Sequence, residues 1–284
     1  MKQVLGIFRA ACYSLGMVER DEEIMRAVMQ RIAAEGYAIH LIHEEDFSVE
    51  TPMPDFVFHM TRSPQSLDIL QAWQKAGCRV INTIEGIQRV ERASLAEWCA
   101  EQGIPTPKTW IVDTACNSIE CVRTTSGENE TITFPCWVKR TGGCAQLSED
   151  VCCVTDVESY RQCLARFQTR GITRAVVMEH LKGPCIKFYA VRDSDFFYWI
   201  HADKLGYDKF LTSISSVHHD ACMTTNDGVC TDFRFPIPNA PLEVYGGDAI
   251  IDSNGVARLI DLNDWPSFSV CREKAADAIA RLLL

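Results

Sequence analysis

The first ninety residues alternate between two hydrophobic periods. QVLGIF at positions 3–8 is a short apolar run of strand length. The stretch 19–35 then carries Ile24, Val28 and Ile32 at four-residue spacing, a helical stripe that Gly36 closes. YAIHLIH and DFVFHM read as a second and third strand. SPQSLDILQAWQKAG is punctuated as a helix, with Ser63 as N-cap, Pro64 as first helical residue and Gly77 as terminator. CRVIN follows as a fourth strand. Strands alternating with helices imply a parallel α/β sheet.

ERASLAEWCAEQ reads as a helix, and GIPTP ends it, because two prolines cannot continue a helix. We take that break as a domain boundary. KTWIV is the next strand, followed by a small αβ unit: strand FPCWVKR, polar loop TGGCAQLSED, strand VCCV, helix 158–170 and strand RAVVMEH. The last hundred residues hold IKFYAVRD and DFFYWIHA as strands, a polar stretch between Gly206 and Pro241, an acidic hairpin and a terminal helix. Three units are expected: 1–104, 105–181 and 182–284.

Composition narrows the function classes. The 284 residues are 47% hydrophobic and 23% charged, as in an ordinary globular protein. A net charge of −10 argues against a general nucleic-acid binder, which needs a basic face. No apolar run reaches membrane-spanning length, and the N-terminal run MKQVLGIFRAACYSLG fits a first strand better than a signal peptide. The 14 cysteines form no CxxC pair and no metal-ligand spacing, so they read mainly as small reduced core residues of a cytoplasmic protein and not as a zinc site.

Candidate chemistry concentrates in YGGDAIIDSNGVARLIDLNDWPSF. The turn signal DSNG at 252–255 lets two apolar runs fold as a β-hairpin, bringing Asp248 beside Asp261. Asp261 and Asn263 are two apart, so they share a face that Leu262 leaves. Three hard oxygen donors of this kind suit Mg²⁺. Taken alone, the same residues suit ordinary strand-end and turn roles equally well.

FPCWVKR, VVMEHLKGPCIKFYAV and GGDAII…LIDLNDWP, in that order after EQGIPTPKTW, resemble the ATP-grasp superfamily over nearly the whole chain. The resemblance implies an α/β protein with α+β lobes: an ATP-grasp fold preceded by an N-terminal parallel α/β domain. Two branches look closest. FYAV after GPCIK and GGD…IDLNDWPSF are similar to the ATP-grasp inositol phosphate kinases. The N-terminal lobe with VIN…GIPTP is similar to the ribosomal-protein glutamate ligases, although those usually carry Glu-x-Asn where this chain has Asp-x-Asn.

The resemblance implies ATP between the central and C-terminal lobes and Mg²⁺ on Asp248, Asp261 and Asn263. It implies that Lys139 contacts the ATP phosphates, with Lys187 beside it; these two are the catalytic candidates. Arg92 stands thirteen residues before Pro105, where the family usually has another nucleotide-contacting lysine. Glu179, His180 and Leu181 match the linker that receives adenine. Cys185 replaces the usual ribose-binding acid, and TGGCAQLSED retains only Gly142 and Gly143 of a glycine-rich phosphate loop. Asp264, Trp265 and Ser267 replace small residues around the family's proline, beside the acceptor site. His218, His219 and Asp220 are expected in a substrate-covering loop; adjacent strand histidines face opposite ways and cannot readily share an ion.

The activity implied is a carboxylate–amine ligase working through an acylphosphate. A small-molecule kinase or an inactive nucleotide-binding protein are the alternatives. A polyphosphate acceptor would call for a basic cluster, for which Arg9, Arg62 and Arg192 are candidates. The partner expected is a small-molecule or peptide acceptor, with neither nucleic acid nor membrane, and a homo-oligomer stays open.

Overall fold

The computed structural model describes residues 2–14, 18–116, 118–142, 147–202, 237 and 239–283. Three four-stranded sheets organise them. The first contains β1 (Gln3–Phe8), β2 (Ala38–His43), β3 (Phe56–His59) and β4 (Arg79–Ile81), all parallel in the order β2-β1-β3-β4. Helices α1 (Val18–Ala34) and α2 (Pro64–Lys75) connect its strands. As expected, the Ser63 side chain caps α2 by accepting the Ser66 amide at 3.2 Å.

Helices α3 (Ile84–Arg89) and α4 (Arg92–Gln102) lead to the second sheet. It comprises β5 (Thr109–Asp113), β8 (Cys136–Arg140), β9 (Val151–Val154) and β10 (Arg174–Glu179), antiparallel in the order β5-β10-β8-β9. A two-stranded ribbon of β6 (Val122–Arg123) and β7 (Asn129–Glu130) flanks β5. Helix α5 (Val157–Thr169) buries Tyr160, Leu164 and Phe167 against Trp110 and Val138 of this sheet.

The third sheet holds β11 (Cys185–Val191), β12 (Phe197–His201), β13 (Val244–Ile251) and β14 (Ala257–Asp264), antiparallel in the order β12-β11-β13-β14, and α6 (Arg272–Ala280) follows. One face of this sheet, with Ile186, Phe188, Leu259 and Leu262, packs on Ile87, Leu95 and Trp98 of α3 and α4. The other face is divided. Tyr189, Val191 and Val244 join a core with Phe58, Met25 and Ile279, against the N-terminal lobe, whereas Lys187, Asp248 and Asp261 stay partly exposed.

The first and third sheets are joined by buried polar contacts. The Asn82 amide donates to the Val244 carbonyl at 2.8 Å and accepts the Val244 N–H at 2.7 Å, as a neighbouring strand would. Arg62 donates to the Asp264 carboxylate, with Nη1 at 2.7 Å from Oδ2. Helix α6 lies on α1 through Ala275, Ala276 and Ala278, and Arg31 ties it down through Asp277 and Glu273. The small alanines permit close approach of the two helices.

Helix α3 and the β6–β7 ribbon are additions to the sequence expectation; six residues and two-residue strands are too short to establish a period. The cysteines also divide: Cys78, Cys99, Cys136, Cys163 and Cys271 are buried, but Cys12, Cys116 and Cys121 are exposed and so are not core residues.

His59 lies at the centre of the joint, fully buried, and burial pushes its imidazole down to about 4. The ring is therefore neutral. Nε2–H donates to the Asn82 carbonyl at 2.9 Å and Nδ1 accepts from the Thr61 hydroxyl at 2.9 Å. The unfolded ring takes up a proton near 6.5 while the folded one resists, so stability is full above that pH and declines as pH falls towards 4. We expect His59 to account for a loss on the order of 3 kcal/mol over that window. Urea unfolding at stepped pH, wild type against His59→Gln, measures it; parallel profiles between pH 6.5 and 4 contradict the assignment.

Candidate functional site

Strand register builds the site. Lys187 on β11 lies opposite Asp248 on β13, which lies opposite Asp261 on β14. The three form one transverse row on one face of the sheet. Tyr189, Gly246 and Asn263 make the next row. The hairpin expected from DSNG is present, and it does bring Asp248 beside Asp261, with Asn263 one row further along. Gly246 gives Pro266 room there: a Cβ would meet the Phe188 carbonyl at 2.7 Å and Pro266 Cγ at 2.8 Å.

A β-bulge sets the alignment. Pairing passes from Asp248–Asp261 to Ala249–Leu259, which leaves Ile260 as an extra residue. Without it Leu259 and Leu262 would point to opposite faces; with it both are buried and Asp261 and Asn263 turn to the open face. The Ile260 carbonyl, released from regular pairing, accepts from Lys139 Nζ at 3.4 Å. The bulge was missed in the sequence, although two buried-type leucines three apart in a strand are its signal.

Lys139 reaches this carbonyl from β8 on the central sheet and is 6% exposed, so it is no surface lysine. Burial is the main influence on its ammonium and lowers its pKa; Asp261 opposes the shift and Arg92 adds to it. Arg92, the first residue of α4, donates to the Arg140 carbonyl at 3.1 Å, and its Nε lies 3.9 Å from Asp261 Oδ2. Asp261 Oδ1 takes the Leu262 amide at 3.1 Å, and Asp248 Oδ1 is 3.0 Å from Lys187 Nζ. Three cations therefore face two carboxylates where the central and C-terminal sheets meet. Arg92, Lys139, Leu259 and Ile260 line a gap of about 10 Å³ there, near the smallest space that holds a water molecule.

Glu179 ends β10, and its amide donates to the Lys108 carbonyl at 2.9 Å. The His180 amide goes to Pro135 at 3.3 Å and its Nδ1 accepts from Trp137 Nε1 at 3.1 Å. Burial, with Lys182, lowers the His180 pKa and so suits a neutral acceptor. That side chain holds the linker to the central sheet. Leu181 is half-buried between β10 and β11. At the phosphate-loop position, positions 143–146 lie outside the described residues, as do His218, His219 and Asp220. The loop's stem is described: buried Asp150 pairs with Arg170 at 2.8 Å and accepts the Leu147 amide at 3.0 Å.

Each arginine considered for a polyphosphate acceptor is engaged by a carboxylate of the chain, and Arg9 and Arg62 converge on Asp264. Arg9 pairs with Asp21 at 3.0 Å, Arg62 with Asp264, and Arg192 with Glu243 at 2.8 Å. Glu44, at the end of β2, also accepts the backbone amides of Ala10, Arg62 and Ser63 at 3.2, 2.9 and 2.7 Å. A carboxylate of the chain itself thus uses the amides at the parallel sheet's strand ends.

No protein-family model matches the chain, and no curated protein matches it. Solved structures do. A D-alanine–D-alanine ligase from Bacillus anthracis complexed with ATP aligns with a TM-score of 0.61 at 12% identity, covering 99% of this chain and 96% of that one. The RimK-domain ATP-grasp protein of Sphaerobacter thermophilus gives 0.61 at 12%, with 98% of each chain covered. The VanG D-Ala:D-Ser ligase of Enterococcus faecalis gives 0.63 at 13%, covering 100% of this chain and 99% of that one.

This chain has the ATP-grasp fold. At such identities the likeness concerns architecture, and it spans both chains from end to end. Among the described residues no three acidic, histidine or cysteine side chains cluster to hold a metal. The candidate set within the ATP-grasp fold is two carboxylates and one amide. Hard oxygens in adjoining rows fit Mg²⁺ by donor type.

A buried ammonium whose hydrogen-bond partner is a neutral carbonyl costs stability in the free protein. Lys139→Met should therefore leave the fold as stable as wild type or raise it by about 1 kcal/mol. The same change should weaken ATP binding by about tenfold or more. Urea denaturation and calorimetric ATP titration read the two effects; a clear loss of stability with ATP binding intact would contradict this role.

Proposed function

We propose that this protein is an ATP- and Mg²⁺-dependent ligase joining a carboxylate to an amine through an acylphosphate. The observation that carries the reading is the transverse row Lys187–Asp248–Asp261, with Asn263 one row on and Lys139 and Arg92 facing it from the central lobe. An ATP-grasp architecture supports it, as do structural neighbours whose names include two ligases and one complex with ATP.

Lys139 and Arg92 would take the phosphate oxygens of ATP, Lys139 as a point charge and Arg92 as a planar fork. Both are already held by protein carbonyls, so little reorganisation is needed when phosphate charge arrives. Asp248, Asp261 and Asn263 would hold Mg²⁺, which when bound supplies neutralisation of the phosphates during transfer. The acceptor carboxylate oxygen attacks the γ-phosphorus and the bond to the ADP oxygen breaks. The amine nitrogen then attacks the acyl carbon, loses a proton, and inorganic phosphate leaves. No protein nucleophile takes part, so the work of the chain is positioning and charge neutralisation.

The kinase alternative would draw on Arg9, Arg62 and Arg192 for a polyphosphate acceptor, and each of them already holds a carboxylate of the chain. Both readings share the ATP half of the reaction and differ in where the phosphoryl group ends.

The test is ADP and free phosphate release from Mg·ATP across paired panels of carboxylates and amines. A ligase releases both in equal amounts and only when both acceptors are present. ADP without free phosphate, with the phosphoryl group retained on a single acceptor, would overturn the ligase reading in favour of a kinase. Asp261→Asn should lower turnover by about a hundredfold or more by removing a metal ligand.

A further inference from the structure

The proposed metal ligand Asp248 already has a cationic partner. Its Oδ1 lies 3.0 Å from the Lys187 ammonium. Strand register places the two side chains together, because the residues are direct cross-strand neighbours on the same face. An ammonium and a divalent ion need the same carboxylate lone pairs, and two cations at that separation repel strongly. The second acid is placed differently. Among the described residues Asp261 Oδ2 is 3.9 Å from Arg92 Nε, beyond hydrogen-bond distance, its Oδ1 accepts a backbone amide at 3.1 Å, and Lys139 acts on it through charge without a salt-bridge contact. The cations near Asp261 thus stand off from it, whereas Asp248 is in direct contact with its ammonium.

The Lys187 and Asp248 side chains are 36% and 29% exposed. An ion pair in such a wet setting is weak enough to be exchanged for a better partner. A triphosphate beside this row offers one, because it carries more negative charge than a single carboxylate. We propose that Lys187 is an internal counter-ion that holds Asp248 closed to metal until nucleotide phosphate draws the ammonium away. Metal and nucleotide then enter together, and each raises the affinity for the other by the same factor. The inference rests on the metal assignment proposed above and adds to it an order of binding.

The test is titration of the full chain with Mn²⁺, reading free ion by electron paramagnetic resonance, with and without a non-hydrolysable ATP analogue. Wild type should bind Mn²⁺ weakly alone and much more tightly with the analogue. Lys187→Gln should bind Mn²⁺ alone about tenfold more tightly than wild type, and its enhancement by the analogue should shrink by a similar factor. Lys187→Arg keeps the counter-ion and should behave as wild type. Wild-type binding that is equally tight with and without the analogue overturns the inference, whatever the variants do. Equal affinity of wild type and Lys187→Gln without the analogue also overturns it, and if Asp248→Asn still weakens binding with the analogue, the metal assignment stands. Binding indifferent to both Asp248→Asn and Asp261→Asn sinks the inference together with the metal assignment.

Discussion

Leu259 and Leu262 are three residues apart on one strand, yet both are buried in the same core. A regular strand cannot do this, because its side chains alternate faces every residue. The extra residue at Ile260 resolves the conflict, and the arrangement of the site follows from it. It sets Asp261 opposite Asp248, turns Asn263 to the same open face, and frees a backbone carbonyl for Lys139. The acids are therefore held by apolar burial on the reverse of the sheet. A site fixed in this way can keep its acids close without hydrogen bonds between them.

That sheet is gripped from both sides. Its reverse face packs on α3 and α4, and α4 begins with Arg92, so the helix that supports the sheet also contributes a cation to the front of it. Its far end is docked on the N-terminal lobe through Asn82–Val244 and Arg62–Asp264. Asp264 shows how several effects combine. Burial works to raise its pKa, yet Arg62 and then Arg9 hold it below the usual carboxylate range, so it stays ionised against Arg62.

Much of this was legible in the sequence because local rules and global fold agree. Ser63 with Pro64, the period of Ile24, Val28 and Ile32, and the DSNG turn each produced the element expected. Alternation on β14 identified Asp261 and Asn263 as sharing a face. Features that depend on tertiary contact were not legible. Nothing local to Arg9, Arg62 or Arg192 reveals that Asp21, Asp264 and Glu243 would pair with them, since the last two partners are 202 and 51 residues away. Asn82 acting as a substitute strand partner for Val244, 162 residues on, is of the same kind. Lys139 lay between: strand position and resemblance suggested phosphate, but its burial against a bulge carbonyl required the bulge to be known.

The central claim is that ATP and a divalent ion meet at the row formed by Lys187, Asp248 and Asp261. The most direct measurement is an anomalous difference map from crystals grown with Mn²⁺ and a non-hydrolysable ATP analogue. A manganese peak within coordination distance of Asp248, Asp261 and Asn263, bridging to the analogue's phosphates near Lys139, is the predicted result. A well-ordered analogue bound elsewhere, or a manganese peak that touches none of these three side chains, would contradict it.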